Sequence, residues 1–548
     1  MADVIDRHWR EASAAWLKGF AQVAFLDQPL HGLLVIAAIA VLSPWSAAAA
    51  AIGATLAILL GRRFFAQSEW EWKEGLGAYD CVLLGMAWGG ALSRGASMTF
   101  LLFLAILACL AMRGPLVRRL VSLGLPALAL PGLVTTWLSL SVFSALGSDF
   151  WLTPSINPFG VAGPAVAIAA VAIGMFLKHP RAAAVTAAAA ALTAFLYVLL
   201  AGEALSIRGA GLWAFTVAPA VFALPAAFLR GLRPGWRAAS MSALLSAAVW
   251  LIWPRIPLLD QVPPLMAPLF IGIWGALALT LGKDRLLCLD HGVQHAARLI
   301  GGARASGGTL VLTGAGISTA SGIPDYTAGH WLSPGVPLSR YGFEAFLADA
   351  ESRTLYWDAC AHFHAVAASA QPNPGHLALA VLEASGYVSA TITQNVDGLH
   401  QAAGSRHVGE LHGNIFGVRC LACDQMVDWP AADAWRQASP SCPACGGLLK
   451  PAVIAFGEGI RLATWHMADS EAQGCGAMLV VGSQLAVSSA SALLASARAR
   501  SVPCIFVTLG ALAVPVFPND TVIVCQAERV LPALARLLGV RLPAAVAR

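Results

Sequence analysis

Apolar and polar positions divide this chain into two halves with different periods. Between residues 32 and 281, long apolar runs alternate with short basic breaks. About ten runs are legible, at 30–43, 46–60, 79–92, 97–112, 120–145, 160–177, 182–200, 210–229, 238–253 and 266–282. Several fall short of the ~20 residues that cross ~30 Å of hydrocarbon, so tilted, broken or half-spanning helices are expected among them. Beyond residue 308 the apolar runs shrink to strand length, at 309–313, 388–393, 478–481 and 505–509, with helical patterns such as 373–382 between them. Short apolar runs alternating with helices predict a parallel sheet covered on both faces. Each run ends in a polar cluster: Gly-Ala-Gly-Ile-Ser, Thr-Gln-Asn, Gly-Ser-Gln and Thr-Leu-Gly. Ligands of such sheets bind beyond the carboxyl ends of the strands, where these clusters gather.

Composition supports the division. A mean hydropathy of +0.70 with 11% charged residues places much of the chain in lipid. Only Asp80, Asp149, Glu203 and Asp260 are acidic between residues 75 and 280, so the net charge of +5 bears on membrane orientation and not on nucleic acid. With the N-terminus inside, the inner breaks hold Arg62, Arg63, Lys73, Arg113, Arg118, Arg119, Lys178, Arg181, Arg230, Arg233, Arg237, Lys283 and Arg285. The outer breaks hold only Arg94, Arg208 and Arg255. This positive-inside bias leaves the C-terminal half in the cytoplasm, on the inner (plasma) membrane of the cell. Residues 1–28 show no cleavage-site pattern and read as a cytoplasmic segment. Residues 284–307 read as a linker or first helix of the second half, which then occupies 308–548.

The apolar half, 29–283, repeats itself. Gly75-Leu-Gly-Ala-Tyr-Asp80 recurs as Gly211-Leu-Trp-Ala-Phe-Thr216, and Ser43-Pro44 recurs as His179-Pro180. Pro126-Ala-Leu-Ala-Leu-Pro131 recurs as Pro263-Pro-Leu-Met-Ala-Pro268, so two copies span about 20–145 and 146–283. Five spans per copy make the repeats inverted, with a path at their interface. Gln22-Val-Ala-Phe25, Pro29-Leu-His-Gly32 and the stretch 75–85 resemble the urea transporter family. The resemblance implies a channel for a small neutral solute, with pore candidates Gln22, Asp80, Ala129, Thr216 and Met266. The sequence departs from the family there: its Thr before Leu-Pro-Phe is Ala129 and Met266, and its signature Asn is Asp80 and Thr216. A lost hydrogen-bonding Thr leaves a dehydrating solute unpaired, at about 1–3 kcal/mol per contact. Weak urea permeation, or a scaffold that conducts nothing, follows.

The chain has eleven cysteines, and four of them, in the polar half, form Cys420-x2-Cys423 and Cys442-x2-Cys445, 18 residues apart. That spacing predicts a closed tetrathiolate zinc site, structural because no position is left for water, in a module at about 418–450. Gly314-Ala-Gly316, Thr393-Gln-Asn-Val-Asp-Gly-Leu-His400 and Glu410-Leu-His-Gly413 come in an order that resembles the sirtuins, NAD-dependent protein deacylases, with wording closest to class II. The resemblance implies an α/β Rossmann-like domain following an all-α polytopic membrane domain with inverted repeats. It implies that Gly314, Ala315, Gly316 and Ser318 cradle the phosphates of NAD and that Asp325 and Tyr326 flank its nicotinamide. Gln394, Asn395 and Asp397 would hold ribose and nicotinamide, Asn395 and Asp397 also serving catalysis. Gly482, Ser483 and Thr508 would meet the adenosine end. His412 would be the general base, its ordinary pKa near 6.5 suiting proton removal in the cytoplasm; His376 is read as structural.

Three departures from the sirtuin wording, Thr327, Ala452 and Thr508, lead to slow turnover or an altered acyl preference. The expected partners are an acyl-lysine protein or a free acylated metabolite, membrane lipid, and further copies of the chain in a homo-oligomer. Three other readings stand beside deacylation: transfer of ADP-ribose to protein, hydrolysis of NAD, and a channel regulated by a non-catalytic NAD sensor.

Overall fold

The computed structural model describes residues 2–23, 28–65, 67–92, 95–122, 287–288, 290–324, 335–430 and 434–543, with a few positions between 131 and 279. Most of the second repeat lies outside the described residues, as do Ala129, Thr216, Met266, Asp325, Tyr326 and Thr327. The chain divides into two compact units, Met1–Asp290 and His291–Arg548.

In the first unit α1 (Ala2–Val23) packs on α2 (Pro29–Leu42) and on α5 (Leu76–Ala87). Its Phe20 and Ala21 are buried in the same cluster as Ala50, Cys81 and Ile106, so the N-terminal segment is part of this core. Between them run α3 (Pro44–Phe64) and the single turn α4 (Glu69–Lys73). α3 meets α5 along small residues: a Cβ on Gly53 would lie 2.5 Å from the Cys81 carbonyl oxygen, and one on Gly85 2.5 Å from that of Ala49. Backbones approach that closely only where side chains are absent, as at small-residue interfaces in membranes.

The apolar run expected at 79–92 is broken, as anticipated for some of the short runs. α5 ends at Ala87 and α6 (Gly89–Leu92) follows. Twelve helical residues reach only about 18 Å, too short for a span. α7 (Ala96–Ser122) corrects the sequence reading differently. It runs unbroken through 113–119, where a basic break was expected. Within it Arg113 is buried, while Arg118 and Arg119 stay exposed. Arg113 Nε lies 3.3 Å from Asp80 Oδ2 and its Nη1 3.6 Å from Glu71 Oε1. Among the described residues, α3 and α7 are long and apolar enough to cross a membrane.

The second unit is built on six parallel strands ordered β3-β2-β1-β7-β8-β9. They are β1 (Thr309–Thr313), β2 (Val388–Thr393), β3 (Val408–Glu410), β7 (Ala477–Val481), β8 (Cys504–Val507) and β9 (Thr521–Ile523). β8 stops before the expected Leu509 because the Thr508 hydroxyl bonds Gly510 at 3.1 Å and turns the chain. Leu310, Leu312, Ile392, Met478, Val480 and Phe506 form one core with Ala468, Ala472 and Leu493 of the helices Leu462–Gly474 and Ser488–Ala499. Alternate residues point to the other face, covered by His291–Ala303, Pro374–Ala384 and Ala527–Leu537.

A second, antiparallel sheet comprises β4 (Gly413–Cys420), β5 (Met426–Val427) and β6 (Leu449–Val453) in the order β5-β4-β6. It packs on the helix Ala350–Ser369, where the Trp357 ring stacks on Trp435 at 5.6 Å and meets Trp429 edge-on at 5.4 Å.

Removing one member of a buried ion pair strands the other charge, at about 3–5 kcal/mol, whereas removing both is far milder. Arg113→Leu should therefore lower the thermal midpoint of the full chain in detergent more than the double variant Asp80→Asn/Arg113→Leu does. Equal midpoints would show that the pair adds nothing.

Candidate functional site

Because the six strands are parallel, the turns after β1, β2 and β7 emerge at one edge of the sheet. They are joined backbone to backbone. Gly314 N–H donates to Val481 O at 3.0 Å and Gly316 N–H to Gly482 O at 2.9 Å. Gly482 sits at φ 60, and a Cβ on Gly316 would lie 2.7 Å from Gly482 Cα. Glycine is required on both sides of this contact. The N–H of Ser318 donates to Ala315 O at 3.0 Å. The N–H groups of Gly314, Gly316 and Ser318 thus all donate within the chain, and the glycines here serve close packing.

Side chains complete the joint. Gln394 Nε2 donates to Ser483 Oγ at 2.8 Å, tying the β2 turn to the β7 turn. Asn395 Nδ2 donates to Gly314 O at 3.2 Å and to Ser318 Oγ at 3.1 Å. The Ser318 hydroxyl donates to Asp397 Oδ2 at 2.7 Å, while Asp397 Oδ1 accepts Leu399 N–H at 3.0 Å. Burial raises the Asp397 pKa above the ordinary carboxylate value, and these hydrogen bonds work against the rise.

Two histidines missing from the expected ligand set support this network from below. Burial depresses His376 to about 3, aided by the nearby His400, and depresses His400 to about 4. Both are neutral. His376 Nδ1 accepts the Asn373 N–H at 3.4 Å, so its proton is on Nε2, 3.5 Å from Ser318 Oγ. With two donors aimed at its oxygen, Ser318 has its own proton left for Asp397. His400 Nε2 lies 2.9 Å from Thr313 Oγ1. The sequence held a signal for His376, the Asn373-Pro-Gly-His pattern that caps its helix, but none for its contact with Ser318.

His412 stands in the turn between β3 and β4, half-buried. Its Nδ1 lies 3.0 Å from the Gln394 carbonyl oxygen, which can only accept, so Nδ1 carries the proton and Nε2 presents a lone pair. Burial lowers its pKa, with the carbonyl contact opposing the shift. The set of amides, hydroxyls, one carboxylate and one neutral imidazole suits a ligand rich in sugar hydroxyls and amide groups, as NAD is.

The four cysteines converge. Cys420 Sγ lies 3.5 Å from Cys445 Sγ and Cys423 Sγ 3.8 Å from Cys442 Sγ, all four within 4.8 Å of one another. Thiolates bound to one zinc at ~2.3 Å in a tetrahedron stand ~3.8 Å apart, so the group fits.

Of the pore candidates within the described residues, Gln22 Nε2 donates to Glu74 O at 2.6 Å, where the chain enters α5. Asp80 is 2% exposed and paired with Arg113.

Residues 314–489 match the model of the Sir2 family, and residues 1–143 match that of the urea transporters. An NAD-dependent protein deacetylase of Xanthomonas axonopodis pv. citri (strain 306) is 38% identical, over 37% of this chain and 78% of the relative. An NAD-dependent protein deacylase 2 of Pyrobaculum aerophilum is 43% identical, over 32% of this chain and 68% of the relative. The crystal structure of a Sir2 homolog–NAD complex is similar at 31% identity, over 44% of this chain and 93% of that one, with a TM-score of 0.40.

Metal analysis of the purified full chain should return about one zinc per chain, and Cys442→Ser should lose it, since three thiolates no longer close the tetrahedron. A wild-type chain that folds stably without zinc would overturn the assignment.

Proposed function

The chain belongs to the Sir2 family, and from that membership we propose that it is an NAD-dependent protein-lysine deacylase carried on a urea-transporter-like membrane unit. The observation that carries the reading is the His412 tautomer: a neutral imidazole with Nδ1 held by Gln394 O and Nε2 left to accept a proton, one turn away from Asn395 and Asp397. The net reaction takes acyl-lysine, NAD and water to lysine, nicotinamide and O-acyl-ADP-ribose. When bound, NAD would supply the ribose that accepts the acyl group, with nicotinamide as its leaving group. The residues of this chain then act as follows. Asn395 and Asp397, fixed through Ser318, orient the ribose and nicotinamide. Gly314, Ala315, Gly316, Gln394, Gly482, Ser483 and Thr508 would line the rest of the cofactor's length, and the family resemblance assigns Asp325 and Tyr326 to the same role. His412 Nε2 takes a proton from a ribose hydroxyl, which lets the acyl group move off the lysine.

The first unit is proposed to be multi-pass, built from inverted repeats, with its N-terminus and the second unit in the cytoplasm. The basic residues of the inner breaks support that orientation, and a homo-oligomer is expected. Its permeant would be a small neutral solute, conducted poorly because Ala129 and Met266 stand where hydrogen-bonding threonines are expected.

Incubation with NAD and a mixed acyl-lysine peptide pool, read by mass spectrometry, should give nicotinamide release that depends on acyl-lysine. His412→Ala should abolish deacylated peptide, a loss of about 10²–10⁴-fold, while NAD still binds. Asn395→Ala should slow nicotinamide release itself. Because the folded pKa of His412 is depressed, the base stays neutral as pH falls, and the acid limb of kcat/KM should have its midpoint below 6.5. Free ADP-ribose formed equally with and without peptide would make the chain an NAD hydrolase. Label on protein would make it a transferase, and binding without turnover a sensor.

For the first unit, urea flux in proteoliposomes should be weak, and Ala129→Thr with Met266→Thr should raise it. Fast wild-type flux would refute the weight placed on these side chains.

A further inference from the structure

The strand that leaves β6 runs directly beside the base. Ile454 N–H donates to His412 O at 2.8 Å, and Phe343 N–H donates to Phe456 O at 2.8 Å. Residues 453–458 therefore bridge His412 and the start of the helix Phe343–Ala348, with the Phe456 side chain 51% exposed. The loop is thus tied through Ile454 to the residue proposed as the base. Side chains hold its backbone: Tyr356 OH donates to Val453 O at 3.0 Å, the Lys450 ammonium also reaches Val453 O, and Glu458 Oε2 accepts Ala455 N–H at 2.9 Å.

Glu458 is the hinge of this arrangement. Its side chain is only 5% exposed, and each oxygen meets a cation: Oε2 meets Lys450 Nζ at 2.8 Å and Oε1 meets Arg419 Nη2 at 2.9 Å. Arg419 precedes the first zinc-site cysteine, and its Nη1 reaches Asp424 Oδ1 at 3.0 Å, just past Cys423. Arg461 adds a contact to Asp424 Oδ2 at 2.9 Å, but that pair is half-exposed and contributes little. One planar guanidinium thus bridges the cysteine knuckle and the buried carboxylate, a geometry a lysine cannot reproduce.

We propose that Arg419 is a positioning residue, holding Glu458 against the zinc knuckle so that residues 453–458 keep the register in which acyl-lysine is presented to His412. The proposal rests on the deacylase reading. It explains how a metal site with no open coordination position bears on the reaction: the zinc fixes one end of a strut whose other end is the substrate loop.

The test compares full-length wild type with Arg419→Gln and Arg419→Lys in detergent. A lost charge-assisted contact to a buried carboxylate should raise KM for acyl-lysine peptide about tenfold or more in Arg419→Gln. KM for NAD and the zinc content should hold, and amide exchange within 453–458 should quicken. Arg419→Lys should fall between the two, since one ammonium meets one carboxylate at a time. Unchanged peptide KM and unchanged exchange would overturn the proposal. So would loss of zinc or a parallel rise in KM for NAD, either of which would make Arg419 a general support. If no acyl-peptide is turned over at all, the deacylase reading fails on its own, and unchanged exchange in Arg419→Gln would still overturn the strut.

Discussion

The carboxylate of Asp397 is 3% exposed, and a carboxylate so far from water must find hydrogen bonds wherever the fold puts it. Much of the candidate site can be understood as the answer to that demand. One oxygen takes a backbone N–H from its own turn and the other takes the Ser318 hydroxyl from the turn after β1. Ser318 is free to donate there because Asn395 and the neutral His376 aim their own protons at it. The chain of donors fixes three loops relative to one another before any ligand arrives. Preorganisation of this kind means that bound groups meet dipoles already in position.

A comparable constraint governs the first unit, with a different outcome. Small residues let α3 and α5 touch backbone to backbone, and that closeness leaves α5 short and buried. Asp80 comes inside with α5, and burial of an acidic side chain calls for a cation. Arg113 supplies it from the middle of α7, and the basic position expected to end a span is instead part of one long helix. Asp80 therefore has a cationic partner within this unit.

The zinc module and the cofactor edge are usefully contrasted. The thiolate cluster is closed, with all four sulfurs turned toward one point, and chemistry at the ion is excluded by its ligand set. The edge beside His412 is polar, with Gln394 hydrogen-bonded to Ser483, and Asn395 and Asp397 to Ser318. The two are linked by strand β4, which starts at Gly413, immediately after His412, and ends at Cys420, the first of the four cysteines.

Much of this protein is determined locally and could be read from residue order alone. Strands β1 and β2 coincide with their apolar runs because a strand buried on both faces needs every position apolar or small. The four cysteines converge because ligands three positions apart, on two short turns, can close a tetrahedron with little help from the rest of the fold. The family motifs are local for the same reason. What order alone does not contain is which distant side chains share one dry space. Ser318 and Asp397 are 79 residues apart, Arg419 and Glu458 39 apart, and Ser318 and His376 58 apart. Those pairings follow from which strands end together at one edge and from which charges are removed from water. Only the folded chain sets both, because desolvation is a property of the assembled neighbourhood and not of any segment within it.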